Sequence, residues 1–169
     1  LRGDRIRFAI PYLEMCKKVL ELKPTTLITG HFKPIEGQEL IYNEVKNLHD
    51  AVEYIHNETV AGINSGKDMY ELMKEIVLPK KLLVGEGYGT VEWAIRSIYE
   101  GYTGWFRHQS TTELYAYSSQ TIFSDLNNLI DKKSALKMIA DLIASSEYLK
   151  AIHLCEIMSS SDDNKEALK

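Results

Sequence analysis

The chain is 169 residues long, enough to bury a real core in one domain, or in one domain and part of another. Its 44% hydrophobic and 26% charged content is that of a globular protein, and a net charge of −4 argues against a nucleic-acid binder, which needs a basic face. No apolar run approaches the roughly 20 residues of a membrane span, and no signal-peptide pattern opens the chain.

The first segment, LRGDRIRFAIPYLEM, starts without an initiator methionine and on a loop-like Arg-Gly-Asp. Pro11 suits the first turn of a helix or a kink in one already begun. Leu13, Cys16, Val19 and Leu20 then recur at helical spacing until Pro24. The β-branched run Thr25, Thr26, Ile28, Thr29 has strand composition, so residues 5–30 read as one helix–strand unit. A lone strand leaves its backbone groups unpaired, which predicts that the rest of its sheet comes from sequence upstream. At the other end, DDNKEALK reads as the first turns of a helix, with Asp163 or Asn164 as N-cap and Glu166 near the positive end of the dipole. Both ends therefore read as cuts through a longer protein.

From Gln38 the pattern is helical. Ile41, Val45, Leu48, Val52, Ile55 and Thr59 follow alternating steps of four and three, predicting a long amphipathic helix that ends near Gly62 to Gly66. A shorter helix follows over 67–77, stopped by Pro79. The glycine turn LLVGEGYG then leads into a helix striped by Val91, Ala94, Ile95 and Ile98. GYTGWFRHQSTTELY reads as an aromatic-rich loop. Three more helices are predicted over 119–130, 132–144 and 147–158, the last two as an αα-hairpin. Cys16 and Cys155, both in apolar helical settings, read as buried reduced thiols.

Several residues invite a chemical reading. His31 follows the predicted strand, at the kind of strand end that projects into the clefts of layered α/β folds, and Gly30 before it permits a tight turn. Neutral imidazole is a good zinc ligand, yet a catalytic zinc takes about three protein ligands and no HxH, HxxxH or HxxD pairing surrounds His31. Taken locally, it reads as a loop histidine hydrogen-bonded to backbone. His49 and His56 stand about 10.5 Å apart along a helix axis, too far to share a metal, and more naturally flank a helix interface. Gly85, Gly87 and Gly89 match neither GxGxxG nor a P-loop, so close backbone packing against a helix accounts for them better than phosphate binding. SGKD at 65–68 is no P-loop either. His108, Thr111, Thr112 and Glu113 line a pocket or cap the next segment. No Ser-His-Asp or Cys-His constellation can be assembled.

In order along the chain, LRGDRIR, LITGHFKPIEG, VEYIHNETVAGINSGKD, LVGEGYGTVEWAIRSIYEGYTGWF and AIHLCEIMSSSDDNKEALK resemble the alkyl/aryl-sulfatase group of the metallo-β-lactamase superfamily. GYGTVEWAIRSIYEGYTGWF together with the earlier GH..P is the most specific combination. The resemblance implies a mainly α chain. Residues 1–37 would be the tail of an αββα catalytic domain, and 38–169 a helical dimerisation domain pairing two copies as a homodimer. It also implies a dinuclear zinc hydrolase of sulfate esters, in which His31 matches the last zinc-binding histidine. Arg2 in the LRG segment matches a sulfate-binding arginine, since a guanidinium fork fits a tetrahedral oxyanion bidentately, and Arg7 assists. The HxHxDH ligand motif and the acidic metal ligands of the family are absent from these residues, as is its C-terminal lipid-carrier-like domain. The chain by itself is therefore expected to be catalytically inert. The alternatives are a non-enzymatic helical interaction module and a hydrolase of a different ester.

Overall fold

A computed structural model describes residues 8–87 and 89–160. These residues form seven α-helices, three short 3-10 turns and one two-stranded hairpin, so the chain is mainly α as expected. It divides between Trp105 and Phe106 into two compact units.

The first unit begins with α1 (Ala9–Leu22), which buries Leu13 and Cys16 on one side. Lys23, at φ 47°, turns the chain out of the helix, and Pro24 prevents its continuation. β1 (Thr26–Leu27) then pairs antiparallel with β2 (Ile35–Glu36), Thr26 opposite Glu36 and Leu27 opposite Ile35. The expected strand is thus present but short, and its partner lies eight residues on rather than upstream. The reason is local: the chain reverses between the strands, where Phe32 takes a left-handed backbone (φ 68°) and Gly30 is not called on to do so.

Gly37, at φ 103°, opens α2 (Gln38–Asn64), the 27-residue helix on which the unit is built. Its buried positions are Ile41, His49, Ala51, Ile55, Thr59 and Gly62, while Leu48 of the predicted stripe is 38% exposed. A straight helix drifts away from a strict 3.5-residue repeat. Because α1 and α4 (Val91–Thr103) both pack on α2, its covered surface is broader than one seam. α3 (Met69–Glu75) starts at a reciprocal capping box. The Asp68 carboxylate accepts from the Tyr70 and Glu71 backbone N–H groups, and Glu71 accepts from that of Asp68. SGKD is therefore a helix start. Ala51, Ile55, Leu72, Leu78, Ile95 and Ile98 form the core. Burying each of the larger of these side chains is worth about 1.5–3 kcal/mol.

The second unit is smaller in its buried content. Phe106 leads to a 3-10 turn over Thr111–Leu114, and a second such turn over Ser119–Ile122 runs into α5 (Phe123–Leu129). The single helix predicted over 119–130 is thus divided. The Thr121 hydroxyl donates back to the Ser118 carbonyl at 2.6 Å, favouring the tighter first turn. α6 (Lys132–Ala144) and α7 (Tyr148–Met158) form the expected αα-hairpin, turning at Ser146 with φ 61°. α5 also packs on α7. Ala135 and Ala151 are the buried positions of α6 and α7, small residues that let the two helices approach closely.

Candidate functional site

The stretch carrying His31 is the loop of the β1–β2 hairpin. Leu27 and Ile35 are the half-buried residues of the two strands, whereas every side chain from Ile28 to Pro34 is exposed. The Thr29 hydroxyl donates to the His31 carbonyl, and the His31 ring meets Phe32 edge-on at 6.4 Å between centroids. His31 therefore stands at an exposed loop with an aromatic beside it. At the base of the hairpin lies a cleft of about 400 Å³ walled by Leu20, Pro24, Ile41 and Tyr42, with Lys23 and Glu39 at its edge. Its opposed charges fit no single class of ion.

His31 belongs, among the described residues, to no group of three ligand-type side chains. Among the described residues, the one group of His and acidic side chains with ligand-like spacing is His49, Asp50 and Glu53, whose donor atoms lie within 4.8 Å of one another. His31 has no place in it. Within that group the Asp50 carboxylate is paired on both oxygens. Lys46 Nζ reaches Asp50 Oδ2 at 2.6 Å and His49 Nδ1 reaches Oδ1 at 3.0 Å. The Lys46 ammonium, followed by His49, holds the Asp50 carboxyl below the usual carboxylate range. His49 Nε2 is buried without a partner among the described residues. Arg2 and Arg7, the expected sulfate-binding arginines, lie outside the described residues, as does the helix expected from Asp163 or Asn164.

Other expectations meet a clearer outcome. His56 does stand at a helix interface, where its Nε2 lies 2.8 Å from the Tyr102 hydroxyl of α4. A Cβ at Gly85 or Gly87 would meet nothing within 4 Å, so the expected close packing of these glycines is not realised. They lie in a segment that runs over the surface, and the tight approach falls instead at Gly62, against Leu72. Glu86 in this segment has a definite task that the reading of the sequence missed. Its Oε1 accepts from the Val91 N–H at 3.1 Å, beside the Thr90 hydroxyl that accepts from Trp93, and together they cap α4. The signal was available in a Glu and a Thr just before an apolar periodic run.

The polar patch after the aromatics is a cap as well. Glu113 accepts from the backbone N–H groups of Arg107 at 2.8 Å and Ser110 at 3.1 Å, and the Ser110 hydroxyl accepts from Thr112 N–H. These donors, that of Arg107 foremost, hold the Glu113 carboxyl below its ordinary value. Of the two cysteines, Cys16 is buried as expected and Cys155 is exposed. Burial pushes the Cys16 thiol up, and burial beside Cys16 pushes the Tyr12 hydroxyl to about 12, so both stay protonated at neutral pH.

The prominent feature of the second unit is apolar exposure. Leu129 is 83% exposed, Tyr117 77% and Leu149 75%, with Leu136, Met138 and Ile152 exposed as well. α7 is apolar on more than its packed side. A helix of that kind is ordinarily covered in the assembled protein.

Comparison with known proteins places these features. The alkyl sulfatase dimerisation family profile matches residues 68–169. A linear primary-alkylsulfatase of a Pseudomonas species is 32% identical over 112 residues, covering 63% of this chain and 21% of that protein. An alkyl/aryl-sulfatase of Saccharomyces cerevisiae is 26% identical over 113 residues, covering 63% of this chain and 18% of that protein. The chain thus spans about a fifth of the length of the curated relatives it matches. In fold it is similar to the stereoselective inverting sec-alkylsulfatase Pisa1 from Pseudomonas sp., with a TM-score of 0.80 and 19% identity over 97% of this chain and 27% of the other.

Proposed function

This chain belongs to the alkyl sulfatase dimerisation family, and from that premise we propose that it is the self-association part of a zinc-dependent hydrolase of alkyl or aryl sulfate esters. In this reading residues 1–37 end the catalytic domain and 38–169 form the dimerisation domain, which pairs two copies of the enzyme. His31 supplies one zinc ligand and Arg2, aided by Arg7, holds the sulfate group. The remaining metal ligands belong to parts of the enzyme outside this chain, so the chain alone is inert.

The observation that carries the reading is the apolar exposure of the second unit in a chain of this family. Leu129, Tyr117 and Leu149 present large side chains that a second copy would cover, and aromatic residues are enriched in such interfaces. Sedimentation equilibrium of the 169-residue chain over a wide concentration range tests it: a dimer is expected, and a strict monomer throughout overturns the self-association. Supplying the full-length enzyme with alkyl sulfates, aryl sulfates and carboxyl esters tests the chemistry, with sulfate esters expected to be cleaved and a preference for carboxyl esters counting against it. The exposed position of His31, outside the one ligand-type group found among the described residues, favours the second reading, a non-enzymatic interaction module. Absence of HxHxDH upstream in the encoding gene would establish that alternative.

A further inference from the structure

The α6–α7 hairpin carries an apolar face that its own packing leaves open. On α6 the buried or half-buried positions are Ala135, Ile139 and Leu142, and on α7 they include Ala151 and Leu154. One residue further on, about 100° round each helix, stand Leu136, Ala140 and Ile143 on α6 and Ile152 and Cys155 on α7. Tyr148 lies one turn before Ile152 on the same side. All six are exposed, although α5 packs on α7. α6 and α7 run in opposite directions, so the same rotation on each leads to the same face of the hairpin. Residues equally far from the turn at Ser146 stand level: Ala144 with Tyr148, Ala140 with Ile152, Leu136 with Glu156.

We propose that this face is covered by the same face of a second copy, the two hairpins forming a four-helix bundle about a two-fold axis parallel to the helices. This rests on the self-association proposed above, and the alkyl sulfatase dimerisation profile spans the whole hairpin. Rotation about such an axis changes no level. α6 of one copy therefore lies antiparallel against α7 of the other, in the register of the hairpin itself. Small side chains then meet large ones: Ala140 of one copy faces Ile152 of the other, Leu136 faces Cys155, and Ile143 faces Tyr148. Charge selects the same axis. Lys133 and Lys137 point away from α7 along the outer edge of α6, and Glu156, on the outer edge of α7, stands level between them. Lys133 in the first turn of α6 and Glu156 in the last turn of α7 each oppose the dipole of their own helix. The second copy sets each lysine edge against a Glu156. An axis across the helices would lay α6 on α6 and bring the two lysine edges together.

Sedimentation equilibrium of the 169-residue chain at low salt tests the face. Ile152→Asp, which sets a carboxylate against Ala140 of the second copy, is expected to weaken the dimer by about tenfold or more. Lys133→Glu combined with Lys137→Glu, and separately Glu156→Lys, are each expected to weaken their homodimer by about three- to tenfold. An equimolar mixture of these two charge-reversed chains is expected to recover the unmodified affinity as a heterodimer, because each edge again joins opposite charges. Circular dichroism verifies every fold, and the charge reversals, made at exposed positions, carry the test should Ile152→Asp unfold. A dimer unchanged by these substitutions, or charge-reversed chains that weaken alone and do not recover together, would overturn this face and leave self-association standing. A strict monomer before any substitution would overturn the self-association itself, and this face with it.

Discussion

In the first unit Ile55, Ile95 and Ile98 are at most 4% exposed, whereas in the second Leu129, Tyr117 and Leu149 are at least 75% exposed. Both units are built from capped helices with apolar stripes. The difference lies in what the stripes meet. α2 is long enough for α1 and α4 to pack along it, with α3 packed on α4, and the stripes of these helices close on a shared core. The second unit has no helix of the length of α2, and the buried positions of α6 and α7 are alanines, which remove little apolar area from water. A helix can therefore satisfy every local rule and still leave its large side chains uncovered. In a chain of a dimerisation family, that surplus is what the proposed self-association would cover.

The comparison breaks most directly at Ile95. Ile95→Ala should lower the stability of the first unit by about 2–5 kcal/mol, measured by urea denaturation, because a fully buried side chain leaves a cavity. A loss below half of the lower figure would mean that this core is not tightly packed. Next in size is the association of the second unit. Replacing Leu129 and Leu149 together by Asp should weaken self-association by tenfold or more, read by sedimentation, while leaving the urea midpoint of the first unit in place. Unchanged association would move the interface elsewhere.

Gly62→Ala sets two effects against each other. Alanine favours a helix by about 1 kcal/mol over glycine. Its Cβ, however, would fall inside the radius of the buried Leu72 side chain, costing about 1–3 kcal/mol. A net loss of about 1 kcal/mol is expected in the same denaturation experiment, and a gain would show that Leu72 repacks freely.

The smallest effect concerns Asp131, the N-cap of α6. The Ser134 hydroxyl and then its backbone N–H hold this carboxyl below 3.8. A depressed folded value means that its contribution is present at neutral pH and is lost as pH falls below 3.8 through the folded value. Thermal melts of Asp131→Ala and the unmodified chain should differ at neutral pH and converge in strong acid. Parallel melts at every pH would remove Asp131 as a cap.

Much of this molecule is readable along the chain. Asp68, Thr90 and Asp131 before apolar periodic runs mark where α3, α4 and α6 begin, because caps act within a single turn. Val91, Ala94, Ile95 and Ile98 mark the inner side of α4 for the same local reason. His56 at a helix interface was also legible, from its place seven residues after His49 on the long predicted helix. Other features were not. The partner of β1 depends on a reversal carried by Phe32, a residue without a turn signature. The open surroundings of Gly85 and Gly87, the close approach at Gly62 and the exposure of Cys155 depend on neighbours distant in sequence.

The sequence by itself thus determined the mainly helical class, most helix boundaries and the resemblance to alkyl sulfatases, since periodicity, caps and motifs are properties of neighbouring residues. Tertiary packing decided which stripes close into a core, that His31 stands exposed in a hairpin loop apart from the His49 group, and that His56 and Tyr102 meet at a cavity edge. Those outcomes turn on which helices are long enough to cover one another, and no local pattern carries that information.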